Sequence, residues 1–258
     1  LGDVYKRQDI YCDSQCILRE LERRVPAPTY MPTAEAGLMW CVSRWTDGAL
    51  FDLAVKLVLG ASQESLPADF AEDRGRLYLG ANWAEGLKTA NAQLPHLVSQ
   101  MRAPLSWLNG QLSDGRRFLL GPDPAAVDAQ MYHVVWFVRG RWEGGPAMLS
   151  EFPDLERWEN NVREIGHGTS SSMRPEDAIE RAKSFEPVAP SGVAANDPQG
   201  LTVGMPVMVS PDVDGGEQPV AGTVRFADAE TIVVDRAADD VGSVCVHFPR
   251  IGYRVDKS

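Results

Sequence analysis

The sequence predicts a mainly α chain that ends in a small all-β domain. Three observations carry this. Residues 117–140 hold Val127, Met131, Val134, Val135 and Val138 at i, i+4, i+7, i+8 and i+11, the spacing of one helix face. Tyr132, Trp136 and Phe137 widen that face until little is left for water, which marks a buried central helix. Further amphipathic stretches flank it between residues 33 and 185. From Leu201 the apolar period changes to two, in Val203, Met205, Val207, Val209 and again in Val220, Val224, Phe226.

Residues 1–8 do not join convincingly to the strand end at residue 10; they read as a foreign junction and are set aside. Ile10, Tyr11 and Cys12 end a strand. A helix comes next, with Asp13-Ser14 as N-cap chemistry and Ile17, Leu18 and Leu21 on its apolar face. One strand end and one helix cannot form a domain, so residues 9–25 are expected to be the remnant of one, with more upstream. Pro26, Pro28 and Pro32 mark a linker. Thr33 is expected to cap a long helix to about Leu59, with Glu35 favoured by the dipole in its first turn and Gly60 ending it. Residues 66–79 form a more polar helix. Residues 83–112 are helical, kinked or split by Pro95 and Pro104.

The central helix opens after Gly121-Pro122-Asp123-Pro124. Pro124 suits a first turn and Asp123 is placed to cap it. Asp128, three residues after Ala125, stands at capping-box spacing without the hydroxyl half. Its carboxylate is expected to accept backbone N–H groups there; a solvated first-turn acid is the alternative. Residues 143–146 read as a loop. Asp154 is expected to cap a helix carrying Leu155, Trp158, Val162 and Ile165, and residues 175–185 form a last amphipathic helix. The helical domain is therefore placed at residues 33–186, a linker at 187–200, and at 201–258 a small half-open barrel of the SH3 or KOW kind, with four or five short strands.

The totals bound function. Lys+Arg 25 against Asp+Glu 36 leaves a net charge of -11 over 258 residues, the wrong sign for a phosphate-backbone partner. Within residues 201–258, nine acids stand against five bases, so the barrel suits protein contact or dimer support rather than nucleic acid. No apolar run is long enough for a membrane span, which needs roughly 20 residues. The four cysteines are no disulfide scaffold, and Cys12 and Cys16 lack Cys-x-x-Cys spacing; all four read as reduced thiols in a cytosolic protein. No metal-ligand spacing or Ser/His/Asp arrangement is found. His133 reads as a core histidine and His167 as exposed.

Three groups of residues carry a family likeness. They are Tyr11-Cys12-Asp13-Ser14 with Ile17-Leu18-Arg19-Glu20 after it, then Gly115-Arg116-Arg117-Phe118-Leu119-Leu120-Gly121 with Pro124 and Asp128, then Phe152-Pro153-Asp154-Leu155 with Trp158. Residues 10–185 thereby resemble glutathione S-transferases: the end of their thioredoxin-like domain followed by their all-helical C-terminal domain. The resemblance implies that Asp13 and Ser14 bind the γ-glutamyl end of glutathione, the hydroxyl and the helix N-terminus taking the carboxylate and the acid taking the ammonium; plain N-capping is the alternative role. It implies an electrophile pocket lined by the first long helix, with Met39, Trp40 and Ser43 and with Arg44 as a charge clamp; ordinary core or interface is the alternative.

The family's thiol-activating Ser, Tyr or Cys and its cis-proline have no counterpart here, so no catalytic residue is assigned within the chain. Glutathione is implied as substrate, a hydrophobic electrophile as its partner, and a cytoplasmic homodimer without metal as the assembly. The full-length parent is expected to transfer glutathione thiolate to an electrophile, and this chain alone to bind glutathione poorly or not at all. The alternative is a non-catalytic binding or scaffold protein on the same fold, with the barrel as its interaction module.

Overall fold

The computed structural model describes residues 4–6, 8–212, 218–238 and 241–258. In chain order its elements are β1 (Val4–Lys6), β2 (Asp9–Tyr11), α1 (Asp13–Arg24), α2 (Ala36–Asp47), α3 (Ala49–Ala61), α4 (Ala68–Leu79), α5 (Trp83–Ala92), α6 (Leu94–Leu112), α7 (Ala126–Arg141), α8 (Gly145–Leu149), α9 (Pro153–Ile165), α10 (Pro175–Lys183), β3 (Gly192–Val193), β4 (Pro206–Pro211), β5 (Val220–Ala227), β6 (Thr231–Ala238), β7 (Gly242–Pro249) and β8 (Tyr253–Lys257). They fall into two compact units: unit 1 is Leu1–Pro26 with Thr169–Ser258, and unit 2 is Ala27–Gly168.

Unit 2 is all helical. α7 lies at its centre, with Val127, Met131, Val134, Val135 and Val138 each at most 2% exposed. Met39 of α2, Leu57 of α3, Met101 and Leu112 of α6, and Leu155 and Trp158 of α9 are equally buried. α7 is not covered all round: Trp136 is exposed and lies under the Arg141 guanidinium, 5.5 Å from the ring centre, a cation–π contact that suits an aromatic ring at the surface.

Several helix ends differ from the sequence reading. The helix expected over 33–59 is two helices broken at Gly48. Thr33 does not cap; it sits in a turn before α2, whose cap position is Glu35. Gly60 does not end α3 but lies inside it, because a Cβ there would stand 2.8 Å from the backbone carbon of Ala90 in α5. Only glycine permits that approach, and Asn91 Nδ2 donates to the Gly60 carbonyl across it at 2.8 Å. The stretch 83–112 is split at Gln93, where Pro95 enters the first turn of α6, while Pro104 is carried inside α6. Residues 143–146 run into a short helix, α8, rather than forming only a loop.

Asp154 does not cap α9. The cap comes from another helix: Asn109 Oδ1 of α6 accepts the N–H groups of Asp154 (2.9 Å) and Leu155 (3.2 Å). Asp123 likewise does not cap α7, whose cap position is Ala125.

Unit 1 is built on a mixed sheet of order β1-β2-β7-β6-β5-β4-β8, with β3 beside β5. β4 to β7 form an antiparallel meander and β8 returns to pair with β4. The sheet is an open path, not a closed barrel: its β7 side continues into β2 and β1 instead of meeting β8. β2 pairs in parallel with β7, Asp9 opposite Cys245 and Tyr11 opposite His247. The strand at residues 9–11 is therefore not isolated but extends the C-terminal sheet. Val4–Lys6, within the stretch read as foreign, pairs antiparallel with β2; Leu1–Asp3 and Arg7 lie outside the described residues. One face of the sheet carries the buried cluster of Val207, Val209, Val224, Ile232, Val234, Val246 and Phe248, the period-two positions of the sequence.

Candidate functional site

The β2–α1 junction holds Asp13 and Ser14. β2 ends against β7, where the Cys12 N–H donates to the His247 carbonyl at 2.9 Å. Asp13 then turns the chain at φ +67° and is the first residue of α1, so Cys12 and not Asp13 or Ser14 holds the cap position. An acid tolerates this left-handed backbone better than most residues, because its short side chain bonds locally. Asp13 Oδ1 accepts the Gln15 N–H at 2.9 Å and the Ser14 hydroxyl at 3.4 Å. Both side chains are half-buried. The pair thus stands at a helix N-terminus with a carboxylate and a hydroxyl side by side.

Further along α1 a cleft of about 350 Å³ opens against the sheet of unit 1, lined among others by Tyr11, Cys16, Glu20, Arg23 and His247. Behind it lies Asp9, fully buried, whose Oδ1 meets His247 Nε2 at 2.8 Å and whose Oδ2 accepts the Val188 N–H at 2.8 Å. Tyr11 stacks on His247 with ring centres 4.4 Å apart. Burial pushes the Tyr11 hydroxyl up, helped by the charges of Asp9 and Glu20. Burial, with the Asp13 charge second, pushes the Cys16 thiol up to about 12. A thiol held there is no nucleophile at neutral pH. Burial tends to raise the Glu20 carboxyl too, but hydrogen bonds from Arg23 and Arg24 win and hold it low.

The residues expected at an electrophile pocket belong to unit 2, so they and Asp13–Ser14 lie in different units. Met39 is 1% exposed and Ser43 is fully buried. Ser43 Oγ accepts a hydrogen bond from Gln130 Nε2 of α7, which commits this side of α2 to helix packing. Trp40 and Arg44 are half-buried.

Asp128 organises unit 2. Its Oδ2 accepts the Ala125 N–H at 2.8 Å. Its Oδ1 accepts the Leu119 N–H at 2.8 Å and the Trp158 indole N–H at 2.7 Å. One carboxylate therefore ties the 118–121 turn, the start of α7 and α9 together. Burial pushes this carboxyl up, against the downward pull of the three donors. Sequence spacing reaches the bond to Ala125, but the bonds to Leu119 and Trp158 need the fold. Sequence reasoning misses Glu159, which is 1% exposed: it accepts a forked bond from Arg139 at 2.6–3.0 Å and a second from Arg163 at 3.0 Å. Its helical position among apolar neighbours is the only available signal. Among the described residues, no group of three His, Cys, Asp or Glu side chains is placed to hold a metal ion, and no helix is long and apolar enough to cross a membrane.

A turn, a carboxylate-capped central helix and a following helix with a buried tryptophan define a helical domain class. Residues 91–160 match the family model of the glutathione S-transferase C-terminal domain. The whole chain aligns with a GST-like protein from Pseudomonas syringae at 28% identity and a TM-score of 0.77, covering 100% of this chain and 82% of that one. The β-etherase LigF from Sphingobium sp. strain SYK-6 is a looser likeness, at 12% identity and a TM-score of 0.46 over 68% of this chain and 74% of that one. No curated protein matches the chain. Residues 91–160, within the helical unit, are thus similar to the glutathione S-transferase C-terminal domain, and the chain as a whole is similar to a GST-like protein.

Proposed function

We propose that this protein serves glutathione chemistry, with Asp13 and Ser14 holding the γ-glutamyl end of the tripeptide. The observation that carries the reading is the carboxylate–hydroxyl pair at the N-terminus of α1 in a glutathione S-transferase-like chain. A helix N-terminus favours the substrate carboxylate, and Asp13 supplies the opposite charge for the ammonium. In a transferase the bound thiolate then attacks an electrophile. Of the α2 residues that the resemblance implies for an electrophile, Met39 and Ser43 are spent on the core of unit 2. Within that unit Trp40 and Arg44, an aromatic ring and a cation, are therefore proposed to contact it. A homodimer in the cytoplasm completes the reading, as the family resemblance implies.

Asp13 and Ser14 address only the γ-glutamyl end, and burial holds the Cys16 thiol protonated. Glutathione is therefore proposed to be held by its γ-glutamyl end alone, weaker than micromolar. The protonated Cys16 thiol also suits a second reading, a non-catalytic binding protein on this fold, in which the C-terminal sheet serves protein contact. Calorimetry with glutathione and with the dipeptide Cys-Gly tests the site. Weak heat with glutathione, none with Cys-Gly, and a loss of about tenfold in Ser14→Ala support it; equal binding of both peptides contradicts it. Micromolar glutathione binding contradicts the restriction to one end.

A further inference from the structure

Unit 1 holds a second, larger cavity that the glutathione reading does not use. It lies between α10 and the sheet at β6 and β7, with a volume of about 680 Å³. α10 contributes Ala178, Ile179 and Ala182, and the sheet contributes Ala238. These small side chains leave space that larger ones would fill. Protein interiors rarely keep voids larger than a water molecule, yet of α10 only Ala182 is buried. Ile179 faces the groove and is still 39% exposed. The amphipathic helix thus covers a space rather than a filled core. The volume falls in the range of about 300–1,000 Å³ typical of small-molecule sites.

The described side chains of the lining are apolar except at one point. Among the described residues Arg236 of β6 is the one charged side chain of the lining, and no acidic side chain joins it. An apolar trough with a cation on its lining suits a molecule with a hydrocarbon body and an anionic group. We propose that this groove binds a free amphipathic monoanion, an alkyl or aryl carboxylate, with its body under α10 and its carboxylate at Arg236. The Asp13–Ser14 pair lies on neither α10 nor β6, so either assignment stands or falls without the other.

The test uses decanoate below its micellar range, with decan-1-ol as the uncharged control, read by calorimetry on the full chain. Decanoate is expected to bind at one site, at least tenfold more tightly than the alcohol. Arg236→Gln is expected to erase that preference while leaving alcohol binding. Ala178→Trp, which fills the groove from the helix side, is expected to abolish both. Ala238→Phe does the same from the sheet side should the first variant fail to fold. No saturable decanoate binding, equal affinity for acid and alcohol, or binding that survives a folded filling variant overturns the proposal. Sedimentation of the protein with phosphatidylglycerol vesicles in place of decanoate binding also overturns it, since the groove would then face a membrane surface.

Discussion

Three donors converge on the Asp128 carboxylate, and each would be orphaned by its removal. An unsatisfied buried donor costs about 1–3 kcal/mol. Asp128→Ala should therefore destabilise unit 2 by roughly 3–5 kcal/mol, a fall of about 10 °C or more in melting temperature, measured by thermal unfolding. An unchanged melting temperature would mean the cap does not matter. Charge at Glu20 gives a prediction with a sign. Its carboxyl is held below the ordinary value of 4.5 in the folded state. A depressed acid stabilises above its unfolded value and loses that contribution as pH falls through the folded one. The stability of unit 1 should therefore drop on acidification below 4.5, and Glu20→Gln should flatten that slope in urea titrations at several pH values.

Thiol reactivity divides the cysteines. Cys16 and Cys245 are buried and pushed up to about 12, chiefly by burial, whereas Cys41 is exposed. A disulfide reagent should modify Cys41 in the native protein and reach Cys16 and Cys245 only after unfolding. Thiol titration with peptide mapping reads this directly. Of the candidate site, Asp13 and Ser14 were legible as residue types beside a helix start. The left-handed turn at Asp13 was not, because a cap and a first helical residue are one position apart and share the same chemistry.

At the scale of elements, helices with strong apolar periodicity were legible and their ends were not. α7, α9 and α10 announce themselves by period. The cap of α9 is invisible locally because Asn109 lies 45 residues away. Gly60 shows the same limit. Glycine just past a periodic face reads as a stop signal, yet here it is a contact point between α3 and α5. This yields a test with opposite signs. Helix propensity alone makes Gly60→Ala stabilising by about 1 kcal/mol. The added Cβ would collide with the Ala90 backbone, so a loss of about 1–3 kcal/mol is expected in chemical denaturation.

At the scale of the molecule, charge, size and the α-then-β order were legible from composition and period. The division into units was not. The strand at Asp9–Tyr11 finds its partner at Cys245–His247, at the far end of the chain, and buries Asp9 against His247 and the Val188 N–H. No local pattern encodes a parallel pairing at that distance. The open sheet has the same origin: β2 adds to the edge at which a closed barrel would have ended.

The most direct test of glutathione recognition at the start of α1 is an amide chemical-shift map of the ¹⁵N-labelled protein titrated with glutathione. The expected result is saturable shifts centred on Asp13, Ser14 and Gln15 that disappear in Ser14→Ala. Shifts that leave these three amides untouched, or that persist unchanged in Ser14→Ala, would contradict it.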